Sequence, residues 1–364
     1  MILRSRGPRN ASKVRMARKH QVNQKQIAKD VGLSQATVSL ILSGRRVGSD
    51  KTSQRVLRAA RKLGYRPNLL VRGMQTGKSR MIGVMMPPCD FFWSEVLYGI
   101  HDVLAAADHV PITLWTAHAG SPTLRHNDPA PLELEQVYRL LDRRVDGVIL
   151  WPRFAELFRE HIHEFSSRKL PIVTIDHRLP PKFGADYVGS DEAGGGALVA
   201  KHFHDLGHGV VGHIAGPADR TWASERRKAF EAAVGRLGGS TCVTLDTPSG
   251  DPGVGITAAR QLLAQPNRPT AIFAASDYLA KMVYQAAREA HLRIPHDLSV
   301  VGFSDSPFAA DMSPPLTTVR QPSYEIGRRA AEIVLARSAG SIAKARISEE
   351  LPVSLVVRES TQTR

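Results

Sequence analysis

The chain has 364 residues and a formal net charge of +15, with 49 Lys and Arg against 34 Asp and Glu. This length is enough for two or three domains with hydrophobic cores. Two cysteines cannot build a disulfide framework or a zinc quartet, and no apolar run approaches the roughly 18 residues of a membrane span, so disulfide-rich and membrane-spanning classes are excluded. We expect a reduced, cytoplasmic setting.

The positive charge is concentrated at the N-terminus. The first 80 residues contain 20 Lys and Arg against only Asp30 and Asp50, whereas the other 284 contain 29 Lys and Arg and 32 acidic residues. This asymmetry indicates a polyanionic partner, because Lys and Arg placed on phosphates release condensed counterions. Residues 1–20 are basic and lack apolar periodicity, which predicts a disordered tail, and Met16 is an alternative start.

Residues 22–44 are predicted to form two short helices joined by a tight turn. Asn23 can cap the first helix, and Gln26, three residues later, can complete a capping box. Gly32 is placed to end that helix, and Ser34 is suited to cap the second one.

The second of these helices has two distinct faces. Val38, Ile41 and Leu42 share one face and are expected to pack inward. The opposite face is small or polar, so the helix can enter a major groove about 12 Å wide and contact base edges with its first turn. An ordinary αα-hairpin is the alternative. The outward residues are Gln35, Ala36, Ser39, Leu40 and Ser43.

A third helix is predicted after the basic loop at 44–48, which is suited to phosphate contacts. Ser49 or Asp50 would cap this helix, and Gly64 would end it. It would form the base on which the second helix is held. Its inward residues are expected to be Val56, Leu57, Ala60 and Leu63.

The stretch 22–44 resembles the helix-turn-helix of the lactose-repressor (LacI/GalR) family. The resemblance implies an all-α helix-turn-helix domain at 21–67 that binds double-stranded DNA as a homodimer, with one recognition helix per half-site of a pseudo-palindromic operator. Specificity is then expected chiefly from Gln35, Ala36 and Leu40. The implied DNA contacts are Lys25, Ser34, Gln35, Ala36, Thr37, Ser39, Leu40, Ser43, Arg45, Arg46, Tyr65, Asn68, Arg72 and Met74.

Residues 68–79 are similar to the hinge of that family, which becomes helical on DNA and enters the minor groove. Met74 stands where the family usually has Leu, and an apolar side chain there can wedge between base steps. Arg72 would add a phosphate or groove contact. Gly73 weakens a free hinge helix by about 1 kcal/mol relative to Ala. A flexible linker is the alternative, and both interpretations place a domain boundary here.

From Arg80 onward the sequence alternates between apolar strands and helices, which is typical of parallel sheets built from βαβ units. Strands are predicted at 81–86, 110–114, 145–150, 172–175, 210–214, 242–245, 271–274 and 299–303. Helices are predicted at 94–107, 132–143, 195–206, 224–237, 255–264 and 279–290. Two Rossmann-like lobes are expected, with ligands at the carboxyl ends of the strands.

Five phrases in this region resemble the family's periplasmic-binding-protein-like core, at 143–149, 206–208, 214–217, 300–303 and 314–322. With the N-terminal matches, the resemblance extends from residue 22 to about 360. It implies an effector-binding and dimerisation core at 80–364. The N-lobe is expected at about 80–186 and 308–340, and the C-lobe at about 187–307 and 341–364.

In the family a small effector, a sugar or related metabolite, binds between the lobes. Arg226, four residues before Phe230, is the strongest match, whereas Ser304 stands where relatives have an effector-binding Asp. A pocket that keeps Arg and Trp but loses a carboxylate suggests an anionic effector or one unlike a simple hexose. Each matched residue could instead have an ordinary loop or core role. The implied effector contacts are Phe92, Trp93, Asp176, Arg220, Trp222, Arg226, Ser276, Asp277, Ser304 and Asp305.

Signals for metal binding or catalysis are weak. Four histidines lie between residues 202 and 213, but no Cys or carboxylate completes a metal site at ligand spacing. The Gly-rich stretches at 194–196 and 250–255 match neither a P-loop nor a dinucleotide fingerprint, and a Gly-x-Ser-x-Gly elbow is absent. We therefore expect no cofactor, no metal and no enzymatic activity.

The sequence as a whole predicts a cytoplasmic transcriptional regulator, with repression as the expected mode and operator affinity set by the effector. Effector binding would change the angle between the lobes and the placement of the two hinges. A solute-binding protein shares such a core but has no need of residues 22–68, and an α/β enzyme would need a catalytic constellation. These two classes are the alternatives.

Overall fold

The computed structural model describes residues 22–43, 51–65, 73, 77–87, 90–116, 130–152, 165, 167–247, 252–341 and 345–364. The chain divides into two compact units, and the boundary lies between Ser79 and Arg80. We call the first unit the head and the second the core. None of the helices in these ranges has the length and apolar character needed to cross a membrane.

Three helices lie in the described residues 22–65 of the head, and the first two begin and end at the residues that the sequence indicated. Asn23 Oδ1 accepts from the backbone N–H of Gln26 at 3.0 Å, and Gln26 Oε1 accepts from that of Asn23 at 2.9 Å, which completes the capping box. Gly32 ends the first helix in the left-handed conformation, at φ 66°. The helices are α1 (Gln24–Val31), α2 (Gln35–Leu42) and α3 (Lys51–Lys62).

The three helices pack around one small apolar core. One side chain that we expected there, Leu57, is instead 43% exposed. The residues of α3 that face inward include Ser53, Val56 and Ala60, which are three and four positions apart. Leu57 lies beside this inward face of the helix and not on it. The predicted caps of α3, Ser49 and Asp50, lie outside the described residues. The buried apolar residues are Ile27, Ala28, Val31, Val38, Ile41, Val56, Ala59 and Ala60.

The core contains two six-stranded sheets. The first is parallel throughout, and its strands in spatial order are β11 (Ser348–Leu351), β5 (Asp186–Ser190), β4 (Ile172–Ile175), β3 (Gly147–Leu150), β1 (Met81–Met86) and β2 (Val110–Trp115). The second is parallel except for its first edge strand, and its order is β12 (Ser354–Val356), β10 (Thr317–Arg320), β9 (Ser299–Ser304), β8 (Ala271–Ala274), β6 (Val210–Ala215) and β7 (Thr241–Asp246).

Helices connect the strands of both sheets, as βαβ units require. The six predicted helices are present, and each begins two or three residues earlier than the apolar pattern indicated. Capping explains three of these differences, because Asp90, Asp191 and Ser276 each accept a hydrogen bond from the helix N-terminus. The core helices are α4 (Phe91–Ala106), α5 (Ala130–Asp142), α6 (Glu192–Asp205), α7 (Thr221–Leu237), α8 (Pro252–Leu263), α9 (Asp277–Glu289), α10 (Pro307–Asp311) and α11 (Ser323–Ala339).

The chain passes between the two lobes three times. The first lobe includes all of β5, up to Ser190, although the C-lobe was expected from about residue 187, and two later segments also lie in the lobe opposite to our expectation. Thr317–Arg320 pairs with β9 in the second sheet, although 308–340 was expected in the N-lobe. Ser348–Leu351 pairs with β5 in the first sheet, although 341–364 was expected in the C-lobe. Both strands have only four residues, and Ser-Glu-Glu-Leu in β11 has no apolar run, so hydrophobic patterning could not assign them.

Helices α4 and α11 cross at unusually close range beside the first sheet. Gly99 lies against the backbone of Tyr324 and Arg328, and Gly327 lies against the backbone of Val96. A Cβ at either glycine would overlap a backbone carbonyl oxygen of the other helix. The crossing brings the two apolar faces together in one cluster, whose members include Val96, Ile100, Ile326 and Ala330.

Candidate DNA-binding surface and interlobe cleft

The outer face of α2 points away from the apolar cluster inside the head. Gln35 and Ala36 are exposed in its first turn, and Leu40 is 45% exposed one turn later. Val38 and Ile41 are buried on the opposite side. The helix therefore presents the small and polar surface that entry into a groove requires.

The other predicted DNA contacts are distributed unevenly. Lys25 and Ser34 are exposed, and Ser34 also caps α2 by accepting from the Thr37 N–H at 3.1 Å. Ser39 and Ser43 are half-buried on α2. Tyr65 packs against the apolar core of the head. The remaining contacts lie outside the described residues, and all roles in this set stay predictions; those outside are Arg45, Arg46, Asn68, Arg72 and Met74.

The described part of the head is strongly cationic at its surface. Among the described residues between 22 and 65, Asp30 is the one acidic residue, and the seven Lys and Arg side chains all belong to exposed residues. Arg55 also donates to the carbonyl oxygen of Val31 at 3.1 Å, which joins α3 to the end of α1. Such a surface favours a polyanion electrostatically. The cations are Lys25, Lys29, Lys51, Arg55, Arg58, Arg61 and Lys62.

In the core, aromatic side chains gather where strands of the first sheet end. Trp93 in the first turn of α4 contacts Phe92 and Trp151 edge to face, with ring centroids 5.0 and 5.7 Å apart. Trp151 directly follows β3, and sequence reasoning missed it although its position after a predicted strand was a usable signal. Arg220 of the second lobe lies 5.7 Å from the centroid of the Trp151 ring. We call the space bounded by these residues the interlobe cleft.

Polar contacts also join the lobes at this cleft. Thr221 Oγ1 lies 3.1 Å from Nδ1 of His177, and Arg178 Nε lies 3.5 Å from Glu225 Oε1. Burial lowers the pKa of His177, and the positive charge of Arg220 lowers it further. The residues that follow β4 in the first lobe thus face the beginning of α7 in the second.

Arg226 lies on the C-lobe side of the cleft, buried in a tight ion pair that the sequence did not predict. Its Nε donates to Glu192 Oε2 at 2.8 Å, Nη2 donates to the same oxygen, and Nη1 donates to the carbonyl oxygen of Ala275. The guanidinium carbon lies 3.3 Å from the centroid of the Phe303 ring. Burial raises the pKa of Glu192, whereas Arg226 opposes this rise.

Asp176 directly follows β4, and within the described part of the chain its buried carboxylate lacks a hydrogen bond to one of its two oxygens. It is 9% exposed, and its Oδ1 has no hydrogen-bond partner among the described residues. Burial raises the pKa of Asp176 well above its ordinary value, and the negative charge of Glu192 adds to this effect. Its φ of 57° lies in the left-handed region, which costs energy outside glycine and is a recurrent feature of ligand sites.

We expect Asp176→Asn to stabilise the core at neutral pH by roughly 1–2 kcal/mol. Since the folded-state pKa is raised, the folded chain holds the proton longer than the unfolded chain does, so stability falls as pH rises from about 3.9 through the folded value. Asn tolerates the left-handed conformation and needs no proton. Urea unfolding between pH 4 and pH 8 should show a gain confined to the higher pH. An equal gain from the exposed control Asp142→Asn would contradict the assignment.

Four further predicted effector residues lie where β8 and β9 end, and all four make hydrogen bonds within the chain. Ser276 caps α9, and Ser304 donates to Gln321 Oε1 at 3.1 Å. Asp277 accepts from Thr318 Oγ1 at 2.5 Å and from the Ser306 N–H at 2.6 Å. Asp305 pairs with two arginines. These bonds shape the loop after β9, and contact with an effector stays a prediction.

Two of the histidines considered above are packed in the interior of the second lobe. His213 stacks on Phe273 with centroids 4.6 Å apart, and His208 bonds to the Thr270 and Ser299 hydroxyls. Burial lowers the pKa of each to about 4. Within the described ranges, three or more His, Cys, Asp or Glu side chains nowhere gather as a metal site.

Comparison with known proteins agrees with this architecture. Residues 25–68 match the family model for bacterial regulatory proteins of the lacI family, and residues 200–361 match a periplasmic binding protein-like domain. The chain is 28% identical over 348 residues to the HTH-type transcriptional repressor PurR of Photobacterium profundum, covering 93% of this chain and 98% of that protein. It is 29% identical over 322 residues to the ribose operon repressor of Escherichia coli, covering 86% and 92%.

Solved structures share the fold. The lac repressor dimer bound to operator and the anti-inducer ONPF superposes with a TM-score of 0.79 at 24% identity, covering 94% of this chain and 99% of that chain. A LacI family transcriptional regulator from Enterococcus faecium with bound ribose gives a TM-score of 0.65 at 26% identity, covering 78% and 99%. The head therefore contains a helix-turn-helix domain of the lacI family of bacterial regulatory proteins, and the two-lobed core contains a periplasmic binding protein-like domain.

Proposed function

We propose that the chain is a DNA-binding transcriptional repressor whose operator affinity is set by a small molecule in the interlobe cleft. The outward face of α2, with Gln35 and Ala36 exposed on a cationic head, is the observation that carries the DNA-binding half. The cleft carries the other half, since it combines aromatic rings with the unpartnered Asp176 oxygen, the mixture of apolar surface and few polar groups that small-molecule sites use. The polar groups there serve binding rather than catalysis.

The domain roles follow from this proposal. Residues 21–67 bind a pseudo-palindromic operator, residues 68–79 form the hinge or linker, and the core from Arg80 onward senses the effector in the cytoplasm. A homodimer supplies two heads for two half-sites. Exposed apolar side chains on the core helices offer surface for such pairing; they include Phe91 and Tyr98 on α4, Tyr278 on α9 and Phe308 on α10. PurR and the ribose operon repressor, by their names, are repressors, which supports the proposed direction of regulation.

Binding to duplex DNA of mixed sequence, measured at several salt concentrations, tests the proposal. We expect log affinity to fall linearly with log salt, by about 0.9 per neutralised phosphate. Ala36→Glu should weaken binding about tenfold, or about 1.4 kcal/mol, because it places a negative charge in the first turn of α2. Lys228→Ala, on an exposed position of α7, changes the net charge equally and should have little effect. Equal losses in the two variants would refute a contact through α2.

A further inference from the structure

Glu192, which the sequence did not single out, sets the electrostatics of the interlobe cleft together with its partner Arg226. Arg226 is 3% exposed and Glu192 is 2% exposed, so the two charges neutralise each other out of contact with bulk water. All three guanidinium nitrogens of Arg226 are engaged, two by Glu192 and one by the Ala275 carbonyl oxygen. One face of the guanidinium is covered by Phe303, and Trp222 lies 4.9 Å away. A ligand anion would have to displace Glu192 to reach this arginine.

The free hydrogen-bonding capacity in the cleft is mainly of the acceptor type. Asp176 Oδ1 lacks a partner, and the second oxygen of Glu192 receives only a long bond, 3.4 Å, from Gln321 Nε2. Of the other cations here, Arg220 lies 3.7 Å from Asp219, and Arg178 pairs with Glu225 and Glu350. A ligand that donates hydrogen bonds satisfies these oxygens, whereas an anion adds like charge beside buried carboxylates, at a cost that burial increases.

We infer that Glu192 is a specificity-determining residue that makes the cleft select a neutral, polyhydroxylated ligand over its phosphorylated or carboxylated counterparts. Hydroxyl groups donate to Asp176, and the half-buried rings of Trp151 and Trp222 offer apolar surface for the C–H side of such a molecule. The inference rests on the proposed function only in taking the cleft as the effector site. It replaces the anionic effector that the sequence suggested, because that suggestion assumed that Arg226 was available.

Inorganic phosphate is a probe of Arg226 that requires no knowledge of the effector. We expect the full-length wild-type protein to show no saturable phosphate binding in the cleft by isothermal titration at constant ionic strength. Glu192→Gln keeps the shape of the side chain but removes its charge, so it should bind phosphate saturably, at least tenfold more tightly than the weakest binding that the titration can detect. The double variant Glu192→Gln/Arg226→Gln should lose this gain, which assigns it to Arg226.

Two outcomes would overturn the inference. One is saturable phosphate binding by the wild type that Arg226→Gln abolishes, and the other is a folded Glu192→Gln protein without any gain.

Should Glu192→Gln fail to fold, thermal shifts of the wild type decide, using ribose against ribose 5-phosphate and glucose against glucose 6-phosphate. A larger shift from either phosphate ester than from its parent sugar overturns the inference, and the absence of such a shift supports it. If the wild type did not bind duplex DNA in a salt-dependent way, that result would instead contradict the proposed function.

Discussion

Gly327→Ala is expected to destabilise the first lobe by about 3 kcal/mol or more, at or beyond the upper end of ordinary overpacking. The new Cβ would overlap the carbonyl oxygen of Val96 on α4. A flexible side chain could rotate away from such a clash, but a backbone carbonyl inside a helix can move only if the whole helix moves. The two helices would separate, and buried contacts such as Ile100 with Ile326 would loosen.

The measurement is urea unfolding of the full chain, with the midpoint compared between variants at unchanged slope. Gly235→Ala is a matched control, because this glycine lies on α7 with nothing within 4 Å of its would-be Cβ. Alanine there should stabilise the helix by up to about 1 kcal/mol, since it lacks the backbone freedom of glycine. Opposite signs from the same substitution would establish that the helix crossing requires glycine, and a neutral Gly327→Ala would show that α4 and α11 can separate without loss.

The described helices of the head could be predicted from the sequence because their signals are local. Asn23 with Gln26, Gly32 and Ser34 each act within one turn of the chain, so their hydrogen bonds are readable from spacing alone. Leu57 was misplaced because an apolar residue beside a helical stripe resembles a member of it. The eight apolar strands of the core were found for the same local reason, whereas β10 and β11 were not, because Thr-Thr-Val-Arg and Ser-Glu-Glu-Leu contain no apolar run.

The candidate cleft was only partly predictable, because its chemistry depends on pairs that are distant in the sequence. Arg226 was identified, but its partner Glu192 lies 34 positions earlier, at the start of another helix. The unpartnered oxygen of Asp176 is likewise a property of packing, since a sequence does not show which carboxylates lack donors. Asp277 and Asp305 looked like ligand residues, yet their hydrogen bonds show that loop shape also needs buried carboxylates.

Breaking the Arg226–Glu192 pair is expected to have the second large effect on the stability of the protein. Arg226→Met is expected to cost about 3–5 kcal/mol, because it leaves the Glu192 charge buried without compensation. The double variant Arg226→Met/Glu192→Gln should recover much of this loss, since neither of the two positions then carries a buried charge. The comparison is a double-mutant cycle, with each stability obtained from urea unfolding at pH 7.

The pH dependence separates the lost charge pair from a simple packing defect. Without Arg226, burial raises the pKa of Glu192 with nothing to oppose it, so the folded variant binds a proton more readily than the unfolded chain. Its stability should therefore rise as pH falls towards the ordinary range of a glutamate, and the deficit relative to wild type should shrink. Lys201→Met, which breaks the exposed Lys201–Asp205 pair, should cost no more than about 0.5 kcal/mol at any pH. A deficit in Arg226→Met that is constant with pH would mean that Arg226 stabilises the core through its contacts with Phe303 and Trp222 rather than through its charge.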